Sequence, residues 1–311
     1  MRLLTLKRFE LARDFVADHA RPVDRALLAH FFDQEQAGEV WEPLTEYQNR
    51  DGGFGNALEP DFRLPDSSPL ATTIAFQYFT ATGASSENES VAAGIRYLVS
   101  EYDRTVRAWH SVPPQVNDFP RAEWWNYDRA HAEEYMRTRW ANPSAEIVGY
   151  LNAFAELVPK PLLDEATEKA LVVLQSRSKE IEGHDFLCYT RMAPHLPRPR
   201  GEEVWKKLKL IAPSAIATDR AAWNSYSIRP LWAAPSPSSQ LSGVLGRALE
   251  ENLDFEIDAQ QPDGSWHPFW SWHQYEDNWK TAHMEWQGQL TVKLLISLLQ
   301  YGRIAGITKN R

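Results

Sequence analysis

Two stretches of the chain concentrate side chains able to do chemistry. Residues 55–68 carry Glu59, Asp61, Arg63 and Asp66. Residues 267–284 pack His267, Trp270, Trp272, His273, Tyr275, Glu276, Asp277, Trp279 and His283 into one run, with Glu285 and Trp286 directly after it. A third segment, 109–140, adds Trp109, His110, Trp124, Trp125, Tyr127, Asp128 and Trp140. Aromatic walls with a few carboxyls suit two kinds of reaction. The ring faces can hold a carbocation in a hydrophobic cavity while a carboxylic acid supplies the proton. The same rings stack sugars, and paired carboxylates such as Glu59 and Asp277 would then be acid and base. Glu59, Asp61 and Asp277 are therefore the candidate catalytic acids. Arg63, Trp125, Tyr127, Trp270, Trp272, His273, Trp279 and His283 are the candidate ligand contacts.

A structural reading stands beside this one. Trp and Tyr in long loops also serve as plugs over a core that needs filling. His267, His273 and His283 lack the i, i+4 spacing of a helical metal site, so no metal is expected, and nothing points to a cofactor. The lone cysteine, Cys188, permits no disulfide, fits a reducing compartment and reads as a small packed hydrophobe.

Composition narrows the partners. Thirteen tryptophans in 311 residues mean that something large and flat-sided is packed or bound. A net charge of −9 opposes a nucleic-acid partner, which demands a basic surface. Lys7, Arg8, Glu10 and Arg13 interrupt the apolar residues near the N-terminus, so no signal peptide is expected there. The apolar stretch 294–299 is far too short to span a bilayer. The expected protein is cytoplasmic and acts on a small molecule, either hydrophobic or a sugar.

Helical periodicity dominates the elements that must position these side chains. Amphipathic patterns run over 5–20, 22–36 and 38–48. At 69–82, Ser68 can cap, Pro69 suits the first helical position and Gly83 stops the helix. The same grammar recurs at 143–158, between Asn142 and Pro159. Further patterns lie at 88–102, 162–181, 199–211, 240–259 and 285–301. The Pro-, Trp- and Ser-rich segments 103–141 and 213–238 read as ordered loops with short helical turns. Strand-like alternation is scarce and no linker is visible, so the expectation is one all-α domain over 1–311.

One internal repeat organises these helices. Gln48-Asn49-Arg50-Asp51-Gly52-Gly53-Phe54 matches Gln260-Gln261-Pro262-Asp263-Gly264-Ser265-Trp266: glutamine, two free positions, Asp-Gly, a tiny residue, an aromatic. The glycine permits the positive φ of a sharp turn, the aspartate accepts nearby backbone N–H groups, and the glutamine amide bridges to an adjoining turn. That role accounts for Asp51 and Asp263 without catalysis.

The two segments resemble the Gln-Trp repeats of the terpenoid cyclase and protein prenyltransferase superfamily. The resemblance covers roughly 40–85 and 240–302. It implies an α/α toroid, a ring of helical hairpins with inner and outer helices. Gln48 and Gln260 lie 212 residues apart, room for roughly four more hairpins of about 50 residues each. In such a ring the loops 55–68 and 267–284 would sit over one mouth, where the positive N-termini of inner helices converge.

The family's activities do not transfer with its fold. Squalene-type cyclases protonate their substrate through an Asp-x-Asp-Asp motif, and no such string occurs here; the nearest acids are Glu59-Pro60-Asp61 and Glu276-Asp277. Prenyltransferases bind zinc through an Asp-x-Cys pair and a distant His, whereas Asp185 and Cys188 are separated by two residues, and they also need a partner subunit. Basic residues in 190–201 are able to hold a diphosphate, although the segment reads more simply as a solvated loop. Three functions follow: a divergent cyclase-like enzyme using a carboxylic acid in an aromatic cavity, a carbohydrate-active toroid (a hydrolase or lyase on oligosaccharides), or a binding scaffold without chemistry.

Overall fold

The protein's structure, a computed structural model, describes residues 1–177 and 180–308. Thirteen α-helices and no strand make up the regular structure of the described residues apart from short 3₁₀ turns; only isolated bridges such as Leu4–Ile304 and Phe62–Arg121 pair extended backbone. The all-α expectation holds. No helix of the described residues is long and apolar enough to cross a membrane.

The chain divides into two compact units. The first contains Met1–Pro43, Ile216–Ser271 and the residues from Glu276 onward; the second contains Leu44–Ala215 and Trp272–Tyr275. The first five helices follow the sequence closely: α1 is Leu6–His19, α2 Pro22–Phe32, α3 Ala37–Thr45, α4 Pro69–Ala81 and α5 Glu89–Ser100. In the second unit they are followed by α6 (Arg129–Thr138), α7 (Ala141–Ala153), α8 (Lys160–Ser176), α9 (Gly183–Met192) and α10 (Arg200–Ala215). The short α11 (Pro230–Ala233), α12 (Ser242–Asp258) and α13 (Glu276–Gln300) complete the first unit.

Three elements depart from expectation. α6 lies inside a segment read as loop, because its Ala, Glu and Met residues are good helix formers hidden between tryptophan-rich flanks. α9 was not anticipated either; Glu182 starts it by accepting from the N–H groups of His184 (2.8 Å) and Asp185 (3.2 Å). It turns the first residues of the segment 190–201 from solvated loop into helix. α13 begins nine residues before the expected 285, with Glu276 and Asp277 favouring the positive end of its first turn. The helix expected over 162–181 ends at Ser176, and residues 178 and 179 of that range lie outside the described residues.

In the second unit α4 and α7 are buried around nearly their whole circumference, whereas α5, α8 and α10 bury a single face. α7 packs against α4, α8 and α9. Ser68 caps α4 through the Ala71 N–H at 3.1 Å, as its position before Pro69 suggested. In the first unit α13 packs on α1 and α2. Arg303, 2 % exposed, ties the ends of that unit together by donating to the Arg2 carbonyl (2.8 Å), Glu250 (2.9 Å) and Asp254. A buried ion pair, Arg229 with Glu256 at 3.0 Å, joins α12 to the segment before α11.

The two Asp-Gly turns share one pattern of hydrogen bonds. Gln48 Nε2 donates to the Gly52 carbonyl and Gln260 Nε2 to the Gly264 carbonyl, both at 2.9 Å. The same amides reach a neighbouring helix, through Ser90 O on α5 and Arg8 O on α1, again at 2.9 Å each. Asp51 Oδ1 accepts from Gly53 N and Asp263 Oδ1 from Ser265 N, both at 2.9 Å. Phe54 N donates to Thr72 Oγ1 on α4, and Trp266 N to Thr291 Oγ1 on α13, both at 3.0 Å. The repeat is thus a hinge of fixed geometry that ties the end of one helix to two others.

Candidate functional site

Of the acids of the 55–68 loop, which lies in the second unit, Glu59 and Asp61 are buried, at 7 % and 5 % exposure, and Asp66 is exposed. Residues 61–63 pair antiparallel with 120–122: Ala122 N donates to Asp61 O and Arg63 N to Pro120 O, both at 2.8 Å. The Asp61 carboxylate accepts from the indole Nε1 of the fully buried Trp272 at 2.8 Å. Trp125 meets Phe62 edge-on at 5.6 Å, and with Tyr127 it packs on the core of Phe62, Leu64, Leu70, Val112 and Val116. Arg121 locks this assembly, donating through Nη1 to the carbonyls of Asn117 (3.0 Å) and Phe119 (2.9 Å). Here the aromatic residues and Asp61 pack into the interior of the second unit. His273, with φ of 57°, lies exposed.

Trp270, Asp277, Trp279 and His283 belong to the first unit. Asp277 stands on the first turn of α13 with 94 % of its side-chain surface exposed, bonded to Lys280 at 2.8 Å. That hydrogen bond and the lysine's charge hold its carboxyl below the ordinary range, the wrong direction for a proton donor. Trp279 and His283, one helical turn apart, meet edge-on at 5.3 Å, and His283 meets His267 at 5.2 Å. Trp270 contacts Phe269 and Trp286 edge-on, each at 5.1 Å, and Tyr226 at 6.3 Å. These rings are half-buried apart from the exposed Tyr226 and His267 and make an aromatic wall.

No family model, curated protein or solved structure matches the chain.

A second polar constellation occupies the second unit. Asn142, Glu146 and Tyr150 recur at one-turn spacing along α7; Asp185, Cys188 and Arg191 recur every three residues along α9. The two helices approach so closely that a Cβ on Gly149 would lie 2.7 Å from Met192 Cα. Glu146, 3 % exposed, collects Arg191 Nη1 and Tyr150 OH (2.7 Å each), Gln77 Nε2 (2.9 Å) and the Cys188 thiol (3.7 Å). Asn142 connects this group outward, donating to Tyr135 OH at 3.2 Å and accepting from Cys188 at 3.8 Å. Phe76 stacks on Tyr150 at 5.1 Å and supplies an apolar flank.

Electrostatics assign the protons. Burial, then the negative charge of Glu146, pushes the Tyr150 hydroxyl and the Cys188 thiol well above their ordinary values, so both are donors at neutral pH. Burial lowers His195, whose ring lies 6.0 Å from that of Tyr150, and keeps it neutral. Asp185 behaves as no other acid of the site does. It is 2 % exposed, and its Oδ1 has no hydrogen-bond partner among the described residues. Burial first, then the charge of Glu182, raises it to about 7 against the opposing pull of Arg177, Arg139 and the Asn142 N–H. The signal in the sequence was the polar residues at helical spacing, and it stayed hidden because α9 itself was not recognised.

Cys188 gives a direct check on this electrostatic picture. A neutral thiol beside a carboxylate does not attack disulfide reagents. The native chain should therefore release no chromophore from an aromatic disulfide at pH 7.5 and react fully once urea unfolds it. Fast native labelling would contradict the protonation pattern.

Proposed function

We propose that the chain is a cyclase-like enzyme that protonates a hydrophobic, isoprenoid-type ligand, and that Asp185, rather than Glu59, Asp61 or Asp277, is its acid. The reading rests on one observation: a buried carboxyl with an unpartnered oxygen, raised to about 7 by its surroundings. A general acid works best with a pKa near the operating pH, and burial is the means by which a carboxyl reaches it. Asp61 is engaged by Trp272, and Asp277 is exposed and ion-paired.

The chemistry needs no cofactor. The Asp185 O–H adds its proton to a carbon–carbon double bond, leaving a cation on the neighbouring carbon and a carboxylate on Asp185. Loss of a different proton from the cation to that carboxylate restores the acid, and the net change is isomerisation or cyclisation. Aromatic faces stabilise such a cation. The ring of helical hairpins belongs to the same proposal; its support is the matching hydrogen bonds of the turns at 48–54 and 260–266.

Incubation of the purified chain with C15 to C30 polyenes in heavy water tests this. Deuterium should enter an isomeric product, detected by gas chromatography with mass spectrometry, and Asp185→Asn should slow that incorporation by about 10³-fold. Incorporation by the variant at the wild-type rate, or none by the wild type across the series, would sink the proposal.

A further inference from the structure

Arg191 is the part of the constellation that proton transfer leaves unused. A guanidinium carries five N–H donors in a rigid planar fork. Among the described residues, Arg191 spends one of them, Nη1 to Glu146 Oε2 at 2.7 Å. Burial works against its charge, but the neighbouring acidic groups, Glu146 foremost, together outweigh that penalty and raise its pKa, so the guanidinium stays charged. Yet 38 % of its side-chain surface is accessible. That accessible surface leaves the guanidinium within reach of a ligand from solvent.

We propose that Arg191 anchors an anionic group of the ligand, a carboxylate or a phosphate, and that Glu146 is the residue that orients it. The arrangement separates the two roles. Glu146 is held from four sides by Arg191, Tyr150, Gln77 and Cys188, which fixes the carboxylate and draws its charge toward those donors. The guanidinium edge away from Glu146 remains as a planar pair of donors, the geometry that matches two oxygens of one carboxylate or phosphate. A lysine would present a point charge without that fork. His195, kept neutral, and the protonated Tyr150 hydroxyl add no negative charge of their own beside Glu146. This deepens the acid-catalysis reading by naming the polar end of the ligand, but anion binding requires no proton transfer.

Isothermal titration of the full chain at low ionic strength, with inorganic pyrophosphate in one arm and succinate in the other, decides the matter. Stoichiometric binding of at least one anion is expected, and which one identifies the source as phosphate or carboxylate. Arg191→Gln should weaken it at least about tenfold, equivalent to about 1.4 kcal/mol. Because that substitution also deprives Glu146 of its cation, Arg191→Lys serves as the companion variant; it keeps the charge and should still lose most of the affinity with the fork. Failure of both anions to bind the wild type, or equal binding by a folded Arg191→Gln or Arg191→Lys protein, overturns the inference. The readout is heat of binding, so a chain that binds an anion but turns over no polyene refutes only the acid chemistry. A chain that turns over polyenes and binds neither anion refutes only the anchor.

Discussion

Gly264→Ala and Gly52→Ala should each destabilise the protein by about 3–5 kcal/mol, the strain of an alanine at positive φ adding to a backbone clash. The two residues have φ of 94° and 91°. A Cβ on Gly264 would lie 2.4 Å from the backbone of Leu11, and one on Gly52 would lie 2.5 Å from the carbonyl oxygen of Ala93. Neither neighbour can yield cheaply, because each is main chain within a helix, α1 in one case and α5 in the other. The glutamine amides that bridge these turns to the same helices would be displaced with them. Gly38→Ala is the contrasting substitution: nothing lies within 4 Å of its Cβ position, and it stands in the first turn of α3, where alanine gains up to about 1 kcal/mol. Urea unfolding of the three variants gives the answer. The double variant should approach the sum of its parts, since the two glycines press on different helices. A cost below about 1 kcal/mol at either turn would mean that the tight approach is not what holds the hinge.

The same turns explain why so much of the fold was legible. Glycine at positive φ, aspartate reaching the second N–H beyond it and glutamine four residues ahead of the turn carbonyl are local requirements, written into adjacent residues. Ser68 before Pro69 fixes the start of α4 in the same local way. α9 lacked such marks: its cap is the side chain of Glu182, a residue common on any surface, and its buried face mixes Asp185 and Cys188 with Phe186 and Leu187. A polar buried face defeats periodicity, which reads apolar spacing alone. The candidate site failed to emerge for that reason. Loop acids flanked by tryptophan stood out in the sequence, but Asp61 spends its carboxylate on Trp272, a contact across more than two hundred residues that no local pattern encodes. Asp277 and Trp279 lie ahead of the apolar pattern at 285–301, yet both belong to the first turn of α13, which leaves the acid exposed.

At pH 8 Asp185→Asn should be more stable than the wild type, and the advantage should fade as the pH falls toward 4. The folded protein raises this carboxyl from 3.8 to about 7, by burial first and by the charge of Glu182 second. Below about pH 4 the folded and unfolded chains both hold the proton, and the group's contribution to stability is at its fullest. Between about 4 and 7 the unfolded chain has released the proton while the folded one keeps it, so each pH unit costs roughly 1.4 kcal/mol. Above 7 both have released it and the loss is complete, roughly 4 kcal/mol. Asparagine has the shape of the protonated acid and no proton to lose. Other groups titrate in that window, including His184 beside it, but they are common to both proteins, and the difference between the two unfolding curves isolates Asp185. A difference that is flat from pH 4 to 8 would show that the carboxyl titrates normally, and the proton donor proposed above would lose its physical basis. If the difference rises as expected, the variant that folds best is the one that cannot react, because the energy spent on burying an acid in its protonated form is what keeps a proton available at neutral pH.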